Sequence, residues 1–276
     1  MRELRVGDVV ATDLVPVGGG DICQAFRGRT SSGSTVFVKT RPGAPPDFFV
    51  AEARGLDALR RDGGPCVPEV LAVDEHGIAL QWVEPGPRPD AESVAEFGRQ
   101  LARLHARGCD RFGAAAAGFI GALPLDNTPA GDWPEFYVRR RVEPFLAALD
   151  VADRDVVAEL CARIAEVAGP SEPPALLHGD LWSGNVHWDT HGRGWLVDAA
   201  SAHGGHRETD LAMLALFGMP HLDALLSAYE NECPLADGWR QRRPLHQLHP
   251  LLVHARLFGG GYGSRAAAIA ADLLRH

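Results

Sequence analysis

Lysine is almost missing from this 276-residue chain: of its 27 basic side chains all but one are arginine, and Lys39 in "STVFVKT" stands alone. Positive charge is scarce overall, because 36 acidic residues leave a net charge of −9. A nucleic-acid surface works by clustering cations that displace counterions from phosphates, so this balance argues against nucleic acid as a partner. Long apolar runs are absent as well. The nearest, Ala114 to Leu125, is short, rich in Ala and Gly and broken by Pro124, so no membrane span is expected. Without a charged segment leading into an apolar one at the start, the reading is of a cytoplasmic protein. Cysteine is sparse: the five are scattered with no C-x-x-C pair, which excludes a disulfide framework or zinc ribbon and suggests reduced, mostly buried thiols. Histidine is plentiful at twelve, yet His203 and His206 in "HGGHRETD" lack the H-E-x-x-H face and are not read as metal ligands.

What is present is a change of texture along the chain. Residues 5 to 38 alternate as strands do, punctuated by Gly18 to Gly20 and by "TSSG" at Thr30 to Gly33. "TVFVKT" reads as a strand, and a helix follows Pro46 with Phe49, Ala53, Leu56 and Leu59 on one face. "EVLAVDE" and "IALQWVE" read as two more strands. Beyond "PGPRPD" the pattern becomes helical: Val94, Phe97, Leu101 and Leu104 share a face opened by the cap candidate Asp90. Further helices are predicted from Asp132, with Pro134 in the first turn, and from about Asp153 to Val167. The expectation is an α+β, bilobal molecule: a small antiparallel sheet lobe with one helix over residues 1–85, and a larger, mainly helical lobe over residues 86–276.

The sharpest signal is "LLHGDLWSGNVHWD" at residues 176–189, followed by "GWLVDAAS" at residues 194–201. Short apolar strands there would leave Asp180 and Asn185 on one loop and Asp198 at the end of the next strand. Two carboxylates and an amide are hard oxygen donors, suited to a Mg²⁺ that carries nucleotide phosphates. The intervals, five from Asp180 to Asn185 and thirteen from Asn185 to Asp198, match the catalytic-loop D-x-x-x-x-N and metal Asp of protein kinases. Any one of these residues alone would read as a turn or a cap. In the same template a lysine on the third strand contacts phosphates and is fixed by a helical glutamate, which assigns Lys39 and Glu52. A compact ammonium fits between phosphate oxygens and a carboxylate, where a planar guanidinium would displace both. The turn Gly18, Gly19, Gly20 lies just upstream and could bring backbone amides to phosphates. The strand exit Gln81, Trp82 and Val83 is assigned to adenine through main-chain groups. "LFGGGYG" at residues 257–263 lies between helices and reads as a turn, and "RRR" at residues 139–141 as a partly solvated helix face.

With these motifs assembled, the chain resembles the fructosamine kinases, also called ketosamine kinases, of the aminoglycoside phosphotransferase branch of the kinase-like fold. The resemblance rests on "HGDLWSGN", "GHRETDLAML", "DWPEFYVRRRV", "LFGGGYGSRA", "GGGDI" and "VFVKT", which together span nearly the whole chain. It implies ATP- and Mg²⁺-dependent phosphorylation of the sugar 3-hydroxyl of ketosamines, small or protein-bound glycated amines, whose product releases the amine. It further implies that Asp180 accepts the hydroxyl proton, that Asn185 and Asp198 hold the metal, that Trp182 walls the sugar and that Asp210 braces the catalytic loop. Two departures stand out. Ala199 replaces a usual proline, which leaves the ligand unchanged, and Asp21 stands where some members carry a redox-active cysteine, so redox regulation is not carried over to Cys23.

Two other readings stay open on sequence alone. One is a kinase for another small alcohol of the aminoglycoside or choline type; the other is a nucleotide-binding pseudokinase scaffold. The mixed aromatic, acidic and basic "DWPEFYVRRRV" suits a neutral sugar on an amine better than a polycation, and all five kinase residues are retained. The oligomeric state is not legible.

Overall fold

A computed structural model of the chain describes residues 3–18 and 22–275. Its first part is one antiparallel sheet built from β1 (Leu4–Val6), β2 (Val9–Pro16), β3 (Gln24–Thr30), β4 (Thr35–Thr40), β5 (Val70–Val73) and β6 (Gly77–Gln81), with α1 (Phe48–Leu59) between β4 and β5. The strand order is β1-β2-β3-β4-β6-β5. Sequence reading merged the first hairpin into one element; Gly7, at φ +51°, turns the chain between β1 and β2. Alternation along β4 buries Val36 and Val38 and leaves the intervening residues partly exposed. Lys39 pairs with Ala25 on one side and Ile78 on the other, so the lysine sits on a central strand.

The remainder is mainly helical. α2 (Ala91–Ala106) is capped by Asp90, whose carboxylate accepts from the Ser93 N–H at 2.8 Å. The short hairpin β7 (Gly118–Ile120) and β8 (Leu123–Leu125) follows, then α3 (Trp133–Phe136), a π-helical turn (Tyr137–Val142) and a 3₁₀ stretch (Glu143–Ala148). The predicted helix to Val167 is two pieces, α4 (Val151–Ala162) and α5 (Ile164–Val167), because Arg163 leaves helical geometry. Two short ribbons carry the motifs: β9 (Ala175–Leu177) with β12 (His203–Gly205), and β10 (Val186–Trp188) with β11 (Gly194–Leu196). Four helices close the chain: α6 (Glu208–Leu216), α7 (Leu222–Glu232), α8 (Trp239–Phe258) and α9 (Tyr262–Leu273).

The largest apolar cluster runs without a break from α1 and β6 (Phe49, Leu56, Ile78, Leu80) into α2 and α7 (Phe97, Leu101, Leu225, Tyr229) and takes in Leu196 and Ala199. Each fully buried side chain of this size contributes roughly 1.5–3 kcal/mol. The sheet therefore rests on the same core that carries the Asp198 segment. A second core joins α3, α4, α8 and α9. At one point the approach of α1 is extreme: a Cβ on Gly55 would overlap the Ala199 carbonyl oxygen, so only glycine lets the Glu52 helix lie against that segment.

Candidate active site

Asp180 and Asn185 stand on the loop after β9, as the apolar "ALL" strand and the following "HGD" turn predict. Asn185 Nδ2 donates to the Asp180 main-chain carbonyl at 2.8 Å and to Asp180 Oδ2 at 3.3 Å, which leaves its oxygen as the atom a cation would take. Below the loop, buried Asp210 at the start of α6 accepts from the N–H of His178 at 2.8 Å and of Gly179 at 3.0 Å, and lies 3.3 Å from His105 Nε2. Burial would raise the Asp210 carboxyl, but His105 and these amide donors hold it below the usual carboxylate range. The His178 ring bonds the Val197 carbonyl at 2.8 Å, and the Val197 N–H donates to the Asn185 carbonyl at 3.1 Å. The two motif segments are thus stitched together backbone to backbone.

Asp198 follows β11 with φ +59°, a left-handed conformation that Asp tolerates better than most residues. There its carboxylate meets the Lys39 ammonium, which also contacts Glu52 Oε2 at 2.7 Å. Glu52 is buried, while Asp198 is about half exposed on its side chain, at 52%. Desolvation opposes the charge on Lys39, yet Asp198 and then Glu52 raise its pKa well above the ordinary value. Burial pushes Glu52 up to about 7, with Lys39 opposing and Asp198 adding to the rise. Asp180 is likewise pushed up to about 7, by burial first and by the Asp198 charge second. The hard oxygen atoms of Asn185 and of the half-exposed Asp198 fit a divalent cation held between them.

Not every predicted contact is free. Gln81 donates its N–H to the Glu69 carbonyl at 2.9 Å, and the Val83 carbonyl faces His187 Nε2 at 3.2 Å, so fewer main-chain groups remain for a base than the sequence suggests. The Trp82 indole N–H donates to Glu84 at 2.8 Å. Of the glycine turn, Gly18 is described and Gly19 and Gly20 lie outside the described residues. Trp182 is 40% exposed at the rim, with its ring covering Gly184 and 6.4 Å from Phe217.

Other findings correct the sequence reading. All five cysteines are unpaired, as expected, but half-buried rather than buried. Arg141 is not on a solvated face: it is buried, donating to the Asp126 carbonyl at 2.6 Å and to Asn127 Oδ1 at 2.5 Å. Burial lowers its pKa to about 9. His206 and Glu208 are joined by His246 of α8, a juxtaposition no linear spacing reveals. Arg242 donates to Glu208 at 2.6 and 3.2 Å, so the carboxylate already has its cation. Sequence reading also missed an aromatic rim: His254 lies 4.8 Å from Phe217, 5.4 Å from Phe258 and 5.1 Å from Tyr262, ring centre to ring centre. The helical spacing of His254 and Phe258 was the one available signal.

Buried neutral histidines dictate a response to acid. Desolvation, helped by neighbouring cationic groups, pushes His206 and His249 down to about 3. Between pH 6.5 and that value the unfolded chain binds protons the folded chain refuses, so stability falls as pH falls. Each such histidine contributes about 1.4 kcal/mol per pH unit; His178, His203 and His246, also lowered by burial, act in the same direction, and together the five outweigh the raised Glu52 and Asp180 carboxyls, which favour the folded chain as pH falls. Denaturant unfolding at stepped pH should show the midpoint dropping steadily from pH 6 to pH 4; a flat midpoint over that range would contradict these burials.

A sheet carrying a lysine–glutamate pair, packed over a helical part whose loop offers Asp, Asn and Asp, defines a phosphotransferase of the protein-kinase-like fold. The same fold occurs in an aminoglycoside phosphotransferase solved with ADP and hygromycin B, at TM-score 0.64 and 17% identity over 96% of this chain and 94% of that one. The fructosamine kinase family model matches residues 3–276, and the chain belongs to that family. A crystal structure of a candidate fructosamine-3-kinase from Thermobifida fusca superimposes at TM-score 0.91 with 43% identity, covering 98% of this chain and 96% of that one. A chloroplastic protein-ribulosamine 3-kinase of Arabidopsis thaliana is 34% identical over 96% of this chain and 83% of its own length.

Proposed function

We propose that the protein transfers the γ-phosphoryl group of ATP to the 3-hydroxyl of a ketosamine, the first step in releasing the glycated amine. The observation that carries this reading is the Lys39 ammonium held 2.7 Å from Glu52 and against Asp198, with Asp180 and Asn185 tied together on the facing loop. Residues 1–85 serve as the nucleotide-binding lobe and residues 86–276 as the catalytic and substrate lobe. Gly18, Gly19 and Gly20 approach the phosphates, and Gln81, Trp82 and Val83 line the base. A Mg²⁺ held by Asn185 and Asp198 would supply charge neutralisation between the phosphates. Asp180 orients the sugar hydroxyl and takes its proton as the oxygen bonds to the γ-phosphorus and the bond to ADP breaks. Phosphoryl transfer asks little covalent chemistry of a protein, so positioning and fixed charge supply most of the acceleration. The family, and the printed activity of the ribulosamine 3-kinase relative, support the ketosamine as acceptor. Five unpaired thiols suit the reducing cytoplasm, and no helix among the described residues is long and apolar enough to cross a membrane.

The test is a substrate panel. Ribulose-lysine, kanamycin and choline are offered with ATP, and ADP release is followed. Turnover of ribulose-lysine is expected; turnover of only the other two would refute the assignment.

A further inference from the structure

Asp180 opens onto a small pocket whose walls come mostly from the catalytic loop, α6 and α8, with Met213, Pro250 and Val253 as its buried apolar lining. One wall residue comes from elsewhere. Ile120, 4% exposed, ends β7 and reaches the pocket from the short β7–β8 hairpin. That hairpin has no room to retreat. The Phe119 N–H donates to the Ala200 carbonyl at 3.0 Å, and Ser201 Oγ donates to the Phe119 carbonyl at 2.5 Å. Phe119 packs edge-on against Phe48 of α1, ring centres 5.0 Å apart. A Cβ on Gly118 would overlap the Ala200 carbonyl oxygen, so the strand lies directly on the segment after Asp198. At the turn, a Cβ on Gly121 would come within 3.2 Å of Leu257 and 3.4 Å of Ile22.

A ketosamine with its 3-hydroxyl on Asp180 has two ends to place. The amine end continues into a lysine side chain or a protein and must run to solvent. The exposed rim serves it: Trp182 is 40% and Phe258 63% exposed, and His254 links that rim to the pocket. The sugar tail beyond carbon 3 is left with the inner side, against Ile120, Met213, Pro250 and Val253. Resting on the ketosamine reading above, we infer that Ile120 is a specificity-determining residue, a rigid wall that sets how long a sugar tail the acceptor pocket admits. A wall braced along β7 and at its turn cannot yield to an extra carbon, so chain length is discriminated by loss of fit, where one methylene is worth about tenfold or more in kcat/KM.

The experiment measures kcat/KM for erythrulose-lysine, ribulose-lysine and fructose-lysine, and for ribulose on butylamine, with the wild-type protein and with Ile120→Val, Ile120→Ala and Ile120→Phe. Ile120→Ala should raise the ratio of fructose-lysine to erythrulose-lysine about tenfold, Ile120→Val should move it the same way by less, and Ile120→Phe should lower it. The KM for ATP should stay unchanged. Were all three sugars altered by a common factor, or the lysine-to-butylamine ratio moved instead, Ile120 would not be the wall for the tail. A wild-type protein that turns over no ketosamine defeats the acceptor assignment itself, which is a different failure. Because Ile120→Val removes one methyl group only, it keeps the test readable should the alanine variant unfold.

Discussion

Replacing Lys39 by arginine is expected to lower kcat/KM for phosphoryl transfer at least about 100-fold while the chain still folds, the size of effect that follows loss of one preorganised charge contact. Charge is conserved in this exchange, so charge is not what the substitution tests. The ammonium sits between Glu52, at 2.7 Å, and Asp198, with its side chain only 12% exposed. A guanidinium is planar and wider, and prefers to bind a carboxylate through two parallel N–H groups. Reaching both carboxylates from the same Cα on a central strand, it would push Glu52 and Asp198 apart and point away from where phosphates must lie. Single-turnover rates with saturating ATP, alongside a thermal melt, separate lost chemistry from lost fold. Near-normal rates would mean that the single lysine of the chain is incidental.

Asp180→Asn should cost about 10²–10⁴-fold in kcat, the usual contribution of a positioned general base, with ATP binding unchanged. The substitution is nearly isosteric and leaves the Asn185 contact to the Asp180 main-chain carbonyl, 2.8 Å, untouched. It removes the one group on the loop that can accept the hydroxyl proton. It also removes a carboxyl that burial first and the Asp198 charge second push up to about 7, so the variant should melt no lower than the wild type. ATP affinity by calorimetry and kcat by ADP release are the two measurements needed. Full activity in a variant that still binds ATP would remove the base from the mechanism.

The grouping of Asp180, Asn185, Asp198, Lys39 and Glu52 was legible because each pair lies at a fixed interval on two adjoining elements. Those intervals are dictated by local geometry: a strand, a turn and the next strand. The structure brings Lys39, Glu52 and Asp198 into direct contact and Asp180 against Asn185, as that spacing suggests. Arg141 was misread for a physical reason. It follows two other arginines in a segment that turns π-helical, which rotates its side chain away from the solvated face that a 3.6-residue period assigns. Beyond the helical spacing of His254 and Phe258, the aromatic rim, Ile120 and the joining of His246 to His206 and Glu208 were not legible, because their members come from separate segments and nothing in a linear pattern says which distant helices will meet.

Composition and motif spacing alone determined the class of chemistry, the single lysine's partner and the succession of sheet and helix. These depend on short-range periodicity and on residue types that only one kind of site brings together. The tertiary structure decided the rest: that α1 presses on Ala199 through Gly55, that five buried histidines of low pKa (His178, His203, His206, His246 and His249) stay neutral around the site, and that a braced hairpin puts Ile120 in the wall of the pocket beside Asp180. Such features arise from packing between elements far apart in the chain, where the free energy of burial, not the neighbouring residues, chooses the contact.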